Sequence, residues 1–263
     1  MIYPKKSLGQ NFLIDLNIVK KIINLTTIKN QNILEIGPGK GALTNEIIKK
    51  KPKSLIIIEK DNVLFQELKF RYKNINNIKV YNNDILKFDL ENKLKKNTII
   101  FGNLPYNISS QILIKMIKFK NWPPNYSNLI LMFQKEMADR IIAKYGQLAY
   151  GRLSIITNYR LKILNKFNIS PNCFYPKPKV DSTVLCLGII KNFSNKIKKM
   201  ENLEKITNLL FSNRRKMINK SIKKIFNDDY KNLAKELKVN LSLRPSDLRP
   251  KKIYEITEIF EKI

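Results

Sequence analysis

The fold is decided by the stretch Ile33-Leu34-Glu35-Ile36-Gly37-Pro38-Gly39-Lys40-Gly41. Its first four residues form a mainly apolar run typical of a buried strand, and a helical pattern begins at Ala42. Glycines at such a junction let the backbone turn tightly and approach a ligand closely, because no Cβ intervenes. The stretch therefore predicts a strand, a ligand-binding turn and a helix, in that order.

Further apolar runs follow at residues 54–58, 78–81, 98–101 and 129–133, and helical patterns separate them. Continuous apolar runs that alternate with helices are typical of parallel strands covered on both faces. We therefore predict an α/β fold with a doubly wound sheet.

The composition and periodicity of the sequence change near residue 190. Residues 191–226 hold eleven Lys or Arg against two Glu, and only helical periodicity is present beyond Lys191. We predict an α/β domain over residues 1–190 and a small, basic, all-helical domain over residues 191–263. The second is too short for a large core, so we expect it to pack on the first.

Composition excludes several kinds of chemistry. The chain of 263 residues has no histidine, which excludes Ser-His and Cys-His nucleophiles, a histidine general base and His-ligated zinc. Cys173 and Cys186 are isolated, so we predict no metal site and a reduced, cytoplasmic protein. We find no apolar run of about 18 residues, the length of a membrane span. Residues 1–6 do not lead into a signal core, so we expect neither membrane insertion nor secretion.

The formal net charge of +29 predicts a polyanionic partner, most simply nucleic acid. An A/T-biased genome is the alternative explanation, because the basic residues are mostly lysine and Asn and Ile are also abundant. Charge alone predicts association, not a fold or an activity.

Several ligands compete for the glycine turn. ATP fits poorly because the phosphate-binding motif GxxxxGK[ST] is absent. NAD-binding turns have the spacing GxGxxG, whereas this chain has GxGxG. S-adenosylmethionine fits better, because it has a ribose and an adenine but no pyrophosphate to seat on the helix. A structural turn without a ligand remains the alternative.

Two carboxylates strengthen the case for S-adenosylmethionine. Glu59 ends the second strand, where a carboxylate can accept both hydroxyls of a ribose. Asp84 ends the third and is placed to accept from the adenine amine, although a lone Asp there is usually a cap. We predict that Gly37, Glu59 and Asp84 bind the cofactor.

The most specific motif is Asn103-Leu104-Pro105-Tyr106, at the end of the fourth strand and facing the same crevice. The Asn103 side-chain carbonyl and the Leu104 backbone carbonyl can hold the two N–H groups of an adenine amine. These dipoles would direct its lone pair at a methyl group and stabilise the arriving positive charge. Tyr106 offers a ring on which the base can stack. The alternative is an ordinary Pro-containing turn.

With these motifs, the chain resembles the ribosomal RNA adenine dimethyltransferase family over nearly its full length. The matching segments are KSLGQNFL (6–13), EIGPGKG (35–41), FGNLPYNIS (101–109), FQKEMADR (133–140), YGRLSI (150–155), FYPKPKVDS (174–182) and LFSNRRKM (210–217).

The resemblance implies a Rossmann-like methyltransferase sheet and further site residues. In the family the QNFL segment folds over the cofactor, so Asn11 and Leu13 are expected cofactor contacts, as is Asn103. Phe174 matches an aromatic residue that sandwiches the target base opposite Tyr106. A buried Phe174 that serves only for packing is the alternative.

Segment LFSNRRKM and residues 244–248 resemble the small-subunit branch more closely than the large-subunit resistance branch. The small-subunit branch dimethylates two adjacent adenines in the hairpin loop near the 3′ end of small-subunit rRNA, late in subunit assembly. We therefore expect that rRNA, or an assembling small subunit, as the partner of a monomeric enzyme. The alternatives are a large-subunit enzyme of the resistance type and a non-catalytic RNA-binding assembly factor.

A basic helix is predicted in the tail, with Met217, Ile218, Ile222 and Ile225 on its apolar side. It would cradle RNA phosphates, and a solvated helix face is the alternative. Its basic residues are Arg214, Arg215, Lys216, Lys220, Lys223 and Lys224.

Overall fold

The computed structural model describes residues 4–5, 8–190 and 196–263. Lys6 and Ser7, from the first family-like segment, lie outside the described residues, as does Lys191 at the predicted domain boundary.

The chain divides into two compact units. The first comprises Met1–Ala138 and Lys162–Ile189, and the second comprises Asp139–Leu161 and Ile190–Ile263. The predicted division into 1–190 and 191–263 differs from these units in one segment, because residues 139–161 group with the C-terminal helices.

A seven-stranded sheet organises the first unit. The strands of the described chain are β1 (Phe12–Leu13), β2 (Asn32–Ile36), β3 (Ser54–Glu59), β4 (Ile78–Asn82), β5 (Thr98–Asn103), β6 (Tyr126–Gln134), β7 (Leu161–Ile169), β8 (Phe174–Tyr175) and β9 (Ser182–Ile189). The order in the sheet is β4-β3-β2-β5-β6-β9-β7, and β1 pairs with β8 in a separate ribbon. The five strands predicted from the apolar runs are confirmed.

Strand direction explains where a ligand can bind. The pairs β2/β3, β3/β4, β2/β5 and β5/β6 are all parallel. The chain moves outward from β2 to β4 and then returns to β5 on the other side of β2. Such a reversal opens a crevice beyond the carboxyl ends of the central strands.

Strands β1, β7, β8 and β9 were not predicted. Strand β9 pairs antiparallel with β6, from Asn128↔Gly188 to Gln134↔Ser182. Its residues Ser182 to Gly188 are all buried, as in the parallel strands. An apolar composition indicates that a strand is buried but not whether it runs parallel or antiparallel to its neighbours. The sequence pattern therefore could not distinguish β9 from the parallel strands.

Helices alternate with the strands along the chain. They are α1 (Leu16–Ile23), α2 (Ala42–Lys49), α3 (Asn62–Arg71), α4 (Leu90–Lys93), α5 (Ser109–Ile117) and α6 (Lys135–Ile142). Helix α1 shows why the sequence folds this way: the Asp15 carboxylate caps it by accepting from the N–H groups of Asn17 and Ile18. Val19 and Ile22 lie on its apolar face and are buried in the core.

The second unit is helical, as expected for the C-terminal region. Its helices are α7 (Arg152–Arg160), α8 (Met200–Phe211), α9 (Asn219–Phe226), α10 (Tyr230–Glu236) and α11 (Pro250–Phe260). Among the residues that the structure describes, no helix is both long and apolar enough to cross a bilayer.

The predicted basic helix is partly wrong. Helix α8 ends at Phe211 and α9 begins at Asn219, so Arg214, Arg215 and Lys216 lie in the turn between them. The chain turns because α9 packs back on α8, where Ser221 Oγ donates to the carbonyl of Leu209 at 3.0 Å.

The same turn leaves Met217 58% exposed, whereas Ile218, Ile222 and Ile225 are buried as predicted. Lys220, Lys223 and Lys224 lie on α9 and are exposed.

Candidate cofactor and catalytic site

A cleft open to solvent lies at the carboxyl ends of β2, β3 and β5, within the first unit. It holds about 1130 Å³ of space that no atom fills, including its open mouth. Eight of the nine predicted cofactor and catalytic residues line it: Asn11, Leu13, Gly37, Glu59, Asp84, Asn103, Leu104 and Tyr106.

The glycine turn brings backbone close to the cleft. Gly39 has φ +58°, a left-handed conformation that favours glycine, and a Cβ there would lie 2.8 Å from the Phe12 ring. Gly37 has φ +64°, and its N–H donates to the carbonyl of Ile58 at 3.0 Å. The turn is therefore held against β3 on one side and against the N-terminal segment on the other.

Glu59 lies at the end of β3 and is 6% exposed. Its Oε1 accepts from the Asp61 N–H at 2.8 Å and its Oε2 from the Gly39 N–H at 3.3 Å. Burial raises the pKa of the Glu59 carboxyl, and these two backbone hydrogen bonds oppose the shift. Each carboxylate oxygen has a second lone pair, so a diol could still bind there.

Asp84 follows β4 and is held from two sides. Its Oδ2 forms an ion pair with Lys60 Nζ at 2.9 Å, and its Oδ1 accepts from the Leu86 N–H at 2.9 Å. The hydrogen bond from Lys60 is the main reason that the pKa of Asp84 is lowered. Asp84 is thus an ionised acceptor at the edge of the cleft.

Glu35 is a polar residue of the site that was not predicted from the sequence. It lines the cleft, is 1% exposed and accepts from Thr44 Oγ1 at 2.6 Å through Oε2. Its Oε1 has no hydrogen-bond partner in the described part of the chain. Burial raises its pKa to about 7, although the bond from Thr44 opposes the shift. The one sequence feature that could have indicated Glu35 is a single carboxylate within an otherwise apolar strand.

Asn103, the last residue of β5, has a fixed amide orientation. Its Nδ2 donates to the backbone carbonyl of Asn11 at 2.9 Å. Because the amide nitrogen is engaged in this way, Oδ1 remains as the acceptor that the side chain can offer to a ligand. The next residue, Leu104, is 1% exposed and also lines the cleft.

The Tyr106 ring is half-buried at the cleft, and its hydroxyl is 2.6 Å from Ser182 Oγ. Burial raises the pKa of the Tyr106 phenol, and the bond to Ser182 partly opposes this. Ser182 was not predicted as a site residue, although it ends the family-like segment FYPKPKVDS.

Phe174 is the predicted site residue that the structure does not bring to the cleft. It is 3% exposed, belongs to the hydrophobic core and pairs with Leu13 where β8 meets β1. In this conformation its ring packs in the core, so stacking on a base stays a prediction. This placement matches the packing alternative.

In the second unit, the six basic residues proposed for RNA are all exposed. Arg214 also donates to the backbone carbonyl of Leu148, so its side chain helps to fix the turn. In the described residues no group of three or more Cys, Asp or Glu is arranged as a metal site.

A sequence profile of a known family covers almost all of the chain. The family described as "Ribosomal RNA adenine dimethylase" matches residues 3–262. The chain belongs to this family.

Similar members of the dimethylase family are known from several bacteria. A protein from Pelagibacter ubique named "Ribosomal RNA small subunit methyltransferase A" is 44% identical over 262 residues, 100% of this chain and 98% of that protein. One of the same name from Buchnera aphidicola is 40% identical over 253 residues, covering 95% and 94%.

Solved structures agree with this assignment. A dimethyladenosine transferase from Plasmodium falciparum superposes with a TM-score of 0.77 at 28% identity, covering 95% of this chain and 98% of that one. The 23S rRNA methyltransferase ErmE superposes at 0.67 over 95% and 99% of the two chains, and at 22% identity it supports the fold alone.

Dimethylase-family membership implies a methyl donor, S-adenosylmethionine, and the cleft fits it. Gly37 and Gly39 of the turn line the cleft and carry no Cβ, so a ligand can approach the backbone closely there. Glu59 and Asp84 place two carboxylate acceptors at the same cleft. Glu35 also lines the cleft, and its buried Oε1 has no hydrogen-bond partner among the residues that the structure describes.

Proposed function

We propose that the protein uses S-adenosylmethionine to dimethylate the exocyclic amine of two adjacent adenines in the hairpin loop near the 3′ end of small-subunit rRNA. The observation that carries the chemistry is the hydrogen bond from Asn103 Nδ2 to the carbonyl of Asn11 at 2.9 Å. It leaves the Asn103 carbonyl oxygen as an acceptor at a cleft already suited to the methyl donor.

S-adenosylmethionine supplies an electrophilic methyl group on a sulfonium. Glu59 would hold its ribose and Asp84 its adenine amine, while Asn11, Leu13 and Gly37 enclose it. Both carboxylates are fixed by other hydrogen bonds, so they require little reorganisation on binding.

Asn103 and Leu104 would orient the target amine. The lone pair of an adenine amine is delocalised into the ring, so the nitrogen must be held with that lone pair directed at the methyl group. The Asn103 Oδ1 and the Leu104 backbone carbonyl would each accept one N–H, and both dipoles stabilise positive charge developing on the nitrogen. The nitrogen loses its proton after the attack, so a chain without histidine can perform the reaction.

Tyr106 would stack on the extruded base. An adenine taken from a loop has lost its stacking neighbours, and an aromatic ring restores about 1–3 kcal/mol per base. The bond to Ser182 limits rotation of the ring. A second ring from Phe174 would require that residue to leave the core, so its stacking role stays a prediction.

Binding of the RNA would rest on charge. The exposed basic residues of the 214–216 turn and of α9 can contact phosphates, which contribute affinity without sequence specificity. A loop target suits such a site because unpaired bases are more easily extruded than paired ones. The names of the bacterial relatives favour the small subunit, and we propose that the enzyme acts there as a cytoplasmic monomer during subunit assembly.

The test is to map dimethylated adenines on small subunits from cells that lack the protein. We expect both adenines of the loop to be unmodified, and an added gene for the protein to restore them. Restoration by the Asn103→Ala variant would favour a non-catalytic assembly factor. A missing modification on the large subunit would favour an enzyme of the resistance type.

A further inference from the structure

The N-terminal segment 8–13, here called the strap, lines one side of the cofactor cleft. It is fixed at two places to residues with proposed roles. The carbonyl of Asn11 accepts from Asn103 at 2.9 Å, and the Phe12 ring lies over Gly39, where a Cβ would come within 2.8 Å. The strap thus touches both the catalytic asparagine and the glycine turn.

A third attachment is made by Asp61, a residue with no proposed role in the reaction. Its two carboxylate oxygens lie 3.0 Å from Lys5 Nζ, and its Oδ2 also accepts from Gln10 Nε2 at 3.1 Å. The Gln10 side chain in turn accepts from the Lys5 N–H at 2.7 Å. One carboxylate therefore holds two residues from the N-terminal end of the chain.

Asp61 is also connected to the ribose side of the cleft. Its backbone N–H donates to Glu59 Oε1 at 2.8 Å, and its Oδ1 accepts from the Val63 N–H at 2.9 Å, where it caps α3. The same residue therefore joins the strap to the carboxylate proposed to hold the ribose.

The contacts of Asp61 exceed what a helix cap requires. Its side chain is 2% exposed, and a buried carboxylate is costly unless hydrogen bonds compensate it. Burial by itself raises the pKa of Asp61, but hydrogen bonds from Lys5, Gln10 and Val63 outweigh it and hold the pKa below its usual value. If the strap and Lys5 moved away together, only the bond from Val63 would remain of these three, so Asp61 favours the closed strap.

We propose that Asp61 is a positioning residue that holds the strap closed over the cofactor and thereby limits how fast S-adenosylmethionine and S-adenosylhomocysteine leave. This inference rests on the proposed function, because it assumes that the cleft binds this cofactor. It adds a control of cofactor exchange through a residue that does not itself line the cleft.

The Asp61→Asn variant separates this role from helix capping. Asparagine is also a good N-cap, so α3 is retained, but the charge is removed and one acceptor oxygen becomes a donor. We expect dissociation of both cofactor forms to become about tenfold faster, at the lower end of the effect of removing a hydrogen bond to a charged group. Single-turnover methylation at saturating cofactor should change by less than about twofold, because the reacting groups are untouched.

Variants on the strap side leave the helix cap intact. Lys5→Met should accelerate dissociation by only about threefold, because Lys5 is half-exposed and its ion pair is screened by solvent. In the double variant, Lys5→Met should add little to the effect of Asp61→Asn, because both changes remove the same ion pair. The matched control is Lys49→Met, which removes a lysine–glutamate pair with Glu46 on α2 and should leave dissociation unchanged.

A second readout needs no cofactor and no activity. Hydrogen exchange at the amides of residues 8–13 should be faster in Asp61→Asn and in Gln10→Ala than in the unmodified protein, and unchanged in Lys49→Met. If Asp61→Asn fails to fold, Lys5→Met and Gln10→Ala decide the question through the same two measurements.

The outcomes distinguish this inference from the proposed function. If the unmodified protein binds S-adenosylmethionine while Asp61→Asn and the strap-side variants leave dissociation and exchange unchanged, the role of Asp61 is overturned. If the unmodified protein does not bind S-adenosylmethionine at all, the proposed function fails instead.

Discussion

Replacing Glu35 by Gln should remove a pH-dependent cost in stability. Burial raises the pKa of Glu35 from 4.5 to about 7, so in the folded protein this carboxyl resists ionisation. Between these two values the folded state binds more protons than the unfolded state, and the free energy of unfolding falls as pH rises. A difference of one pKa unit corresponds to about 1.36 kcal/mol, so above pH 7 the ionised Glu35 lowers the free energy of unfolding by about 3 kcal/mol.

Glutamine keeps the shape and can still accept from Thr44. We expect Glu35→Gln and the unmodified protein to be similarly stable near pH 4.5, and the variant to be more stable by up to about 3 kcal/mol at pH 8. Urea unfolding followed by the fluorescence of Trp122, the only tryptophan, reports on the first unit across this range. The high net charge affects both proteins equally, so it cancels in the difference.

The control is Glu46→Gln. The pKa of Glu46 is lowered, chiefly by the hydrogen bond from Lys49, so its ionised form stabilises the folded state. This substitution should therefore lower stability at neutral pH, and the difference should disappear as the pH falls through that lowered value. A Glu35→Gln difference that does not vary between pH 4.5 and 8 would show that burial does not raise the pKa of this carboxyl.

Other substitutions test the site and the tail. Glu59→Ala should weaken S-adenosylmethionine binding by about 1.5–3 kcal/mol, and calorimetry that finds full affinity in a folded variant would remove this residue from the site. Asn103→Ala should reduce the single-turnover rate far more than RNA affinity, and a normal rate would exclude the orienting role. Tyr106→Phe keeps the ring and should remain mostly active, whereas Tyr106→Ala should lose methyl transfer but still bind cofactor; equal activity of the two would exclude stacking. Phe174→Ala should lower stability by about 3–5 kcal/mol if the ring serves for packing, whereas an inactive variant of full stability would support the stacking prediction. Glutamine at all three positions of the 214–216 turn should reduce the salt dependence of RNA binding, by up to about one unit of slope for each phosphate that is no longer neutralised, and an unchanged slope would leave them as a solvated surface.

The parts of the site carried by strand ends could be predicted from the sequence. Glycines, carboxylates and the Asn103 motif each follow an apolar run, and parallel strands bring their carboxyl ends to one edge of the sheet. Gly37, Glu59, Asp84 and Asn103 therefore meet in the cleft, as expected.

Interactions made over long sequence separations could not be predicted in the same way. The bond from Asn103 to Asn11, the pair Tyr106 and Ser182, and the attachment of Lys5 to Asp61 depend on how distant segments meet. No local periodicity encodes such pairs.

One prediction was wrong and another stays a prediction, each for a local reason. Phe174 lies in a two-residue strand that is too short for a periodic pattern, so the sequence could not distinguish burial in the core from exposure at the site. The basic run after Phe211 has the composition of an exposed helix, but the packing of α9 on α8 requires a turn there.

The proposed function is tested most simply by methyl transfer to isolated small subunits that lack the modification, with labelled S-adenosylmethionine and the purified protein. Primer extension then locates the methylated positions, with Asn103→Ala as the inactive comparison and large subunits as the competing substrate. We expect dimethylation of two adjacent adenines in the hairpin loop near the 3′ end of the small-subunit rRNA, and none with the variant. Label that appears only on large subunits would contradict the proposal, and equal label with Asn103→Ala would exclude the orienting role of Asn103.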